Sequence, residues 1–316
     1  MRNLLLAIFC LLACNSLRAN NVLIEIYDPE GIFDKCTLQR TFYGNIPNSH
    51  NNRSERLILS SGRKIELQVD SFLVAFLINQ DKHWFNQPVF ITAGDTIILT
   101  AQKLKVFDGY IFYKLVASGK NEDNYNFLAE THDNYEKYIP LEDVNIEDYK
   151  EYHKNKKDMK LSLIKEKSHN LSIPFYNYSL AEIENKYTWR IYNAALFEYS
   201  KANQTLRDER NINLESFVDG THIVENPLSY YYYTAIWEKF CYDFHVNKWD
   251  SEKAIYFLIN NYSGQEREYL LTQYVGWCVH NKIQITDKIG DAIEEHIHDS
   301  YYLKCIKDFL SITKEE

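Results

Sequence analysis

Hydrophobic residues recur at every second position along the first hundred residues that follow the N-terminal segment. The two clearest sets are Val22, Ile24 and Ile26, and Ile65, Leu67 and Val69. Period two is typical of strands that bury one face. Further strands are predicted at residues 57–59, 72–78, 89–92, 96–100 and 110–117. Short strands separated by glycine-containing turns predict an antiparallel β-sandwich-like domain or a small barrel.

The hydrophobic spacing changes after Ser118-Gly119-Lys120-Asn121. Beyond this segment apolar residues recur three and four positions apart, as on one face of a helix. The clearest set is Tyr176, Leu180, Ile183, Tyr187, Ile191 and Ala194. Amphipathic stretches predict helices at residues 141–167, 227–245, 251–261, 265–280 and 286–310. The sequence therefore predicts an α+β protein, with a β-sandwich-like domain over residues 20–118 followed by an α-helical domain over residues 119–316.

Residues 1–19 have the organisation of a signal peptide. Arg2 supplies a positive charge, and residues 4–13 form an apolar run that is too short for a transmembrane helix, which needs roughly 20 residues. Two cleavage positions fit this segment. Residues 11–14 resemble a lipobox that would make Cys14 the lipidated N-terminus, whereas cleavage after Ala19 would give a soluble periplasmic protein. Both positions predict export, to the periplasm or, as a lipoprotein, to the outer membrane.

The chain is acidic, with a net charge of −9, and removal of the leader would also remove Arg2 and Arg18. This charge disfavours phosphate backbones and anionic lipids. We therefore expect no nucleic-acid partner, and contact with a membrane only through a lipid anchor. The densest basic run, Lys154 to Lys167, is interrupted by Asp158 and Glu166. That pattern is typical of a solvated helix face.

Four of the six cysteines lie outside the leader: Cys36, Cys241, Cys278 and Cys305. No two of them have the C-x-x-C spacing that lowers the pKa of a thiol. An oxidising compartment permits disulfides among them. Buried free thiols are the alternative, because a chain of this length does not depend on disulfides for its stability.

Common catalytic signatures are missing from the sequence, including H-E-x-x-H, G-x-S-x-G and the glycine-rich phosphate-binding loops. We therefore assign no catalytic or cofactor-binding residue and expect no cofactor. The strongest metal candidate is the segment from Glu294 to Asp299, which contains His296 and His298. Residues two apart on a helix point about 200° from one another, so these imidazoles can share a site only if the helix ends there. The segment is more typical of a polar helix end than of a metal site.

The chain is rich in aromatic residues, with 25 Tyr, 17 Phe and 5 Trp, and includes the run Tyr230 to Tyr233. Aromatic rings can stack on sugars and peptides, and tyrosine adds a polar group. Consecutive helical residues fan around the helix axis, so we expect some of these rings in the core and others between helices. Glycan or peptide capture is an alternative that requires several stacked rings at the surface.

The order of these features resembles the N-terminal region of TlpA-like, thioredoxin-fold envelope proteins from Bacteroidetes. Three segments carry the resemblance. Residues 90–97 (FITAGDTI) are similar to the strand, Gly-Asp turn and strand of that β-rich domain, residues 118–128 to its exit into the first helix, and residues 175–187 to a helix of the middle domain. The resemblance implies a leader, a β-rich domain and a helical domain, in that order.

Redox chemistry in that family belongs to a C-terminal thioredoxin domain with a C-x-x-C motif, and this sequence ends at Glu316 where that domain would begin. No catalytic cysteine is therefore carried over. The resemblance implies a non-catalytic binding or interaction module of the cell envelope, with an unidentified protein, a small ligand or a separate thioredoxin-like protein as its partner. The enzymatic alternative is a thiol-disulfide oxidoreductase, or a protein associated with one, that acts through cysteines outside a C-x-x-C motif which meet only in the fold.

Overall fold

The computed structural model describes residues 21–28, 31–33, 37–41, 44, 46, 54–58, 64–79, 83–107, 110–131, 145–201, 214–247 and 249–312. Residues 1–19, which include Cys14, and residue Cys36 lie outside these ranges, so the predictions made for them stay predictions. Within the described ranges, none of the helices combines the length and the apolarity that crossing a membrane requires.

The N-terminal part contains the strands. Their bounds are Asn21–Ile26 (β1), Thr37–Thr41 (β2), Ser54–Ile58 (β3), Lys64–Gln68 (β4), Phe72–Asn79 (β5), His83–Thr92 (β6), Thr96–Phe107 (β7) and Tyr110–Gly119 (β8). They are hydrogen bonded in the order β3-β2-β5-β6-β8-β7-β1-β4. The link between β6 and β8 involves only two residue pairs, His83 with Ile111 and Trp84 with Phe112. The sheet is therefore two four-stranded halves joined by a short parallel pairing.

Both halves contribute to one hydrophobic core, which confirms the sandwich-like domain. Val22 and Leu99 come from one half and Leu38 and Ile91 from the other. Antiparallel pairing dominates as predicted, but β1 pairs with β7 in parallel, as β6 does with β8. The sheet is mixed because β1 is inserted between β4 and β7, with which it shares no hairpin.

Helices make up the rest of the described chain, so the α+β class is confirmed. Their bounds are Glu122–Thr131 (α1), Ile146–Lys167 (α2), Ile173–Lys201 (α3), Leu214–Val218 (α4), Tyr230–Val246 (α5), Ser251–Asn261 (α6), Gly264–His280 (α7), Asp287–His296 (α8) and Ser300–Ile312 (α9). A 3₁₀ turn, Ser168–Asn170, follows α2. The side chain of Asp250 accepts the Lys253 N–H at 2.8 Å and caps α6.

Two helix predictions need correction. The stretch 286–310 is two helices, α8 and α9, and not one. In α3 the predicted apolar stripe is only half-buried at its start, and the buried face instead includes Tyr178, Ala181, Asn185 and Thr188. Asn185 and Thr188 are polar, so hydrophobic spacing does not identify them.

The described residues divide into two compact units. The first lies within Met1–Thr41, Ser54–Tyr138 and Leu163–Asn177, and the second within Phe42–Arg53, Ile139–Ser162 and Tyr178–Glu316. Helix α1 belongs to the first unit, where Tyr125 and Ala129 join the core of the strands. Ile46 belongs to the second unit and is fully buried. The predicted boundary at residue 119 coincides with the end of β8, but neither unit is one continuous stretch of sequence.

Candidate ligand-binding surface

Helices α2, α3 and the start of α5 place basic and aromatic side chains close together in the second unit. We call this set the cationic–aromatic surface. Its members are Tyr152, His153, Lys156, Lys160, Lys186, Trp189, Arg190, Tyr230 and Tyr231. On α2 and α3 they are either adjacent or three, four, seven or eight residues apart, so on each helix they lie within about 100° of one another and on one side.

Polar contacts hold the segment before α5 against α3. The Asn185 amide donates to the Val224 carbonyl and accepts the Val224 N–H, both at 2.9 Å. The Thr188 hydroxyl donates to the His222 carbonyl at 2.7 Å. The Ser229 hydroxyl, just before α5, donates to Glu182 Oε2 at 2.6 Å. These bonds fix where α5 begins relative to α3.

Four side chains form an aromatic stack, which we define as Lys186, Tyr231, Trp189 and Arg190. The rings of Trp189 and Tyr231 are stacked, with centroids 5.2 Å apart. Lys186 Nζ lies 5.2 Å from the Tyr231 centroid, and the Arg190 guanidinium carbon lies 5.6 Å from the Trp189 ring. A cation near the face of an aromatic ring is attracted by the ring's negative charge distribution.

Two carboxyl groups support the aromatic stack. Glu238 accepts hydrogen bonds from the side chains of Trp189 and Asn193, and these bonds orient the indole. Glu182 accepts the backbone N–H groups of Tyr230 and Tyr231 at the start of α5, where a helix favours negative charge. Burial raises the pKa of Glu182 and of Glu238 to about 7. Their negative charge is therefore partly lost near neutral pH.

Basic groups on α2 continue the surface. Lys156 Nζ lies 4.3 Å from the Tyr152 ring centroid. His153 is 7% exposed, and its ring packs on Tyr149 and Tyr152, with centroids 4.3 and 5.0 Å away. Burial, together with the charges of Arg190, Lys156 and Lys160, lowers the pKa of His153 to about 3. The imidazole is therefore neutral at physiological pH.

Charges next to the surface are partly paired. Lys157 lies 3.2 Å from Glu184 and 4.5 Å from the centroid of the Tyr187 ring. Burial, with Arg190 nearby, lowers the pKa of Lys186 to about 7. The cationic–aromatic surface as defined nevertheless holds three lysines and one arginine, in a chain whose net charge is −9. The surface is thus a local exception to the acidity of the protein.

The tyrosine run places Tyr232 and Tyr233 in the core and Tyr231 between α5 and α3, as predicted, whereas the surface position of Tyr230 was not predicted. Tyr232 and Tyr233 are buried, whereas Tyr230 is 48% exposed and Tyr231 is half-buried. The interpretation of the basic run as a solvated face is wrong for Lys156 and Lys160, which are half-buried. The sequence does indicate this position, because the spacing of Lys156 and Lys160 from Tyr152 and His153 places all four side chains on one side of α2.

The candidate metal segment, Glu294 to Asp299, lies where α8 ends and just before α9 begins. Helix α8 stops at His296, as a shared site for the two histidines would require. Glu268, however, accepts the backbone N–H groups of His298 and Asp299, at 3.2 and 2.8 Å, and Asp299 accepts that of Tyr301 at 2.8 Å. Among the described residues, no three or more His, Cys, Asp or Glu side chains are placed together to hold a metal ion.

The described cysteines are free thiols: Cys241, Cys278 and Cys305. Burial raises the pKa of the Cys241 thiol well above its usual value and that of Cys278 to about 11. A protonated thiol is a poor nucleophile. At neutral pH these two groups therefore lack the thiolate on which disulfide exchange depends.

The cationic–aromatic surface is suited to binding a ligand through its basic groups and its aromatic rings. Comparisons of the chain with protein-family models, with curated proteins and with solved structures give no match. The function is therefore inferred from the residues themselves.

Proposed function

We propose that this protein is a non-catalytic binding module of the bacterial cell envelope and that it captures an acidic glycan on the cationic–aromatic surface. The observation that carries the proposal is the aromatic stack, in which Lys186 and Arg190 flank the rings of Tyr231 and Trp189. Lys186 and Arg190 lie over the two stacked rings, so a sugar would place its C–H groups on the exposed Tyr230 ring and on the edges of the stacked rings. The Arg190 guanidinium and the partly protonated Lys186 would attract its acidic groups.

A glycan fits this surface better than a peptide does. Peptides are recognised by strand addition at a sheet edge, by an apolar groove, by an aromatic groove for proline-rich segments or, when acidic, by a cluster of arginines, and the cationic–aromatic surface contains one arginine, Arg190. Here the rings alternate with charged side chains on helices, and nearly half of Tyr230 is exposed at the margin. Such a mixture of rings and charges matches the alternating C–H faces and acidic groups of an acidic oligosaccharide.

The envelope location forms part of the proposal and rests on the signal-peptide pattern and the resemblance to TlpA-like proteins. The protonated thiols of the half-buried Cys241 and the buried Cys278 support a binding role over thiol-disulfide exchange. The acidity of the whole chain disfavours nucleic acid as the anionic partner.

Calorimetric titration with oligogalacturonate, and with a neutral oligosaccharide of equal length, tests the proposal. We expect the acidic compound to bind and Trp189→Ala to weaken that binding about tenfold, the loss expected for one aromatic contact. Tyr256→Ala is the matched control, because Tyr256 is 52% exposed and has Lys288 Nζ at 5.4 Å from its ring, but lies on α6. Equal affinity of wild type and Trp189→Ala would overturn the proposal, as would tighter binding of an acidic peptide that also depends on Trp189.

A further inference from the structure

Strand β4 lies at one edge of the sheet, as the last strand in its hydrogen-bonded order. Among the described strands, β1 alone pairs with it. The side chains of Lys64, Glu66 and Gln68 are exposed, whereas Ile65 is 7% exposed and packs in the core. An edge strand offers its outer backbone groups to any further strand that comes alongside.

The pairing of β1 shows which backbone groups of β4 lie on the outer edge. The Leu23 N–H donates to the Asp95 carbonyl, just before β7, at 2.9 Å. Successive residues of a strand bond to opposite neighbours, so Ile24 directs its backbone groups to β4, where Ile65 is its partner. The groups that point away from β1 therefore belong to the alternate residues of β4: Lys64, Glu66 and Gln68.

The charges of β4 are complementary to those of a second β4. Lys64 and Glu66 are two residues apart, so their side chains share one face of the strand. When two copies run antiparallel with Ile65 opposite Ile65, each Lys64 lies opposite the other Glu66, and both residues direct backbone groups across the contact. The two neighbouring registers would instead place Glu66 opposite Glu66, or Lys64 opposite Lys64, which is unfavourable.

A lysine on an edge strand usually discourages pairing. Here Lys64 Nζ lies 2.5 Å from Glu25 Oε1 on β1, and Glu66 of a second copy would lie on its other side. The cation would then lie between two carboxylates. Leu67, half-buried at the margin of the core, would also come diagonally beside Ile65 of the second copy.

We propose that two copies of this chain pair antiparallel through β4 and thereby join their sheets. The dimer is weak, because a strand of five residues buries less surface than a stable dimer needs. The inference is independent of the glycan proposal, since β4 belongs to the first unit and the cationic–aromatic surface to the second.

Sedimentation equilibrium of the full chain, from about 10 μM to about 1 mM, measures the self-association. We expect a monomer–dimer equilibrium in the wild type. Lys64→Glu and Glu66→Lys each place like charges opposite one another, so each should weaken the dimer about tenfold. Lys103→Glu, the same change at an exposed position of β7, is the matched control and should associate as the wild type does. Circular dichroism checks that each variant is folded.

A mixture of Lys64→Glu and Glu66→Lys tests the register. Each variant repels its own copy, whereas the two together have opposite charges at both facing positions, so we expect a heterodimer. Hydrogen exchange in the wild type is a second readout. The Glu66 amide should become protected as the concentration rises, whereas the Ile65 amide, which bonds to β1, should be protected at every concentration.

Four results would overturn the pairing. They are a wild type that stays monomeric, a dimer that Lys64→Glu and Glu66→Lys leave unweakened, a mixture of folded variants that stays monomeric, and a Glu66 amide whose protection does not change with concentration. The first would leave the β4 edge to an extended segment of another protein. The second would place the contact between copies on another surface.

Discussion

Buried polar side chains hold the backbone in place where it leaves regular structure. Asp95, which follows the turn after β6, is fully buried and accepts three hydrogen bonds. They come from the Thr92 N–H at 2.8 Å, the Asn121 amide at 2.6 Å and the Tyr125 hydroxyl at 3.0 Å. One carboxyl group therefore ties the turn between β6 and β7 to the start of α1.

Replacement of Asp95 by alanine should destabilise the strand-containing unit by about 2–4 kcal/mol, because buried donors would lose their acceptor. Urea unfolding followed by circular dichroism measures this change. Asp70→Ala, at an exposed position, is the matched control. Equal stability of the two variants would show that the Asp95 hydrogen bonds make no net contribution to the free energy of unfolding.

His153 should make the helical unit sensitive to acid. Its pKa is about 3 in the native state against an ordinary value of 6.5, so between these values the unfolded chain binds a proton that the native chain does not. Stability should therefore fall as the pH drops below about 6.5, by at most about 1.4 kcal/mol per pH unit from this group. His153→Gln should flatten the pH dependence of urea unfolding, and the exposed His169→Gln should leave it as in the wild type. An unchanged slope in His153→Gln contradicts the buried neutral imidazole.

At the scale of single elements, α3 depends on polar contacts as well as on apolar packing. Its Asn185 and Thr188 side chains are fully buried and bind the backbone at residues 222 and 224. The connecting segment thereby obtains backbone hydrogen bonds without forming a helix or a strand.

Asn185→Ala should lower the free energy of unfolding by about 2–3 kcal/mol, since it leaves the backbone N–H and C=O of Val224 without their side-chain partner. Hydrogen exchange at the Val224 amide should accelerate in the variant. Asn177→Ala, an exposed position on the same helix, should change neither quantity. If the Val224 amide stays protected from hydrogen exchange in Asn185→Ala, its N–H donates to an acceptor other than Asn185.

Hydrophobic spacing predicted the elements with a strong period. Strand β1, helix α6 and the end of β8 lie where the sequence places them. Strand β2 was missed because its sequence, TLQRT, contains a single large apolar residue. Its pairing with β3 and β5 comes from the tertiary structure and not from local preference.

The cationic–aromatic surface could be predicted only in part. Lys186, Trp189 and Arg190 have helical spacing that the sequence displays directly. Their pairing with Tyr231 depends on where α5 starts, which the polar contacts of Glu182 and Asn185 determine. Such long-range contacts leave no periodic trace in a single sequence.

At the scale of the whole molecule, the units interleave along the chain. Ile46 lies between β2 and β3 in sequence but packs in the helical core, and its N–H donates to the Tyr301 hydroxyl at 2.9 Å. Gly44 has φ of +74°, and an added Cβ would overlap the Tyr302 hydroxyl. A cut at residue 119 would therefore remove part of the helical core.

Ile46→Ala in the full chain should destabilise the helical unit by about 2–4 kcal/mol, through lost burial and a residual cavity. Thermal unfolding followed by circular dichroism at 222 nm measures this loss of stability. Ile173→Ala is the control, because the Ile173 side chain is 77% exposed. For the same reason a fragment from Lys120 to Glu316 should be helical but less stable than the unit in the full chain. A fragment that matches the full chain in stability would show that Ile46 is dispensable.

Binding on the rings of Trp189 and Tyr231 is most directly tested by the indole N–H resonance of Trp189 in the full chain. The chain has five tryptophans, so four indoles serve as internal references. We predict that oligogalacturonate moves the Trp189 resonance saturably, because a sugar on this ring changes its surroundings and the hydrogen bond to Glu238. Binding detected by calorimetry while the Trp189 resonance stays fixed would contradict the assignment of this surface as the ligand site.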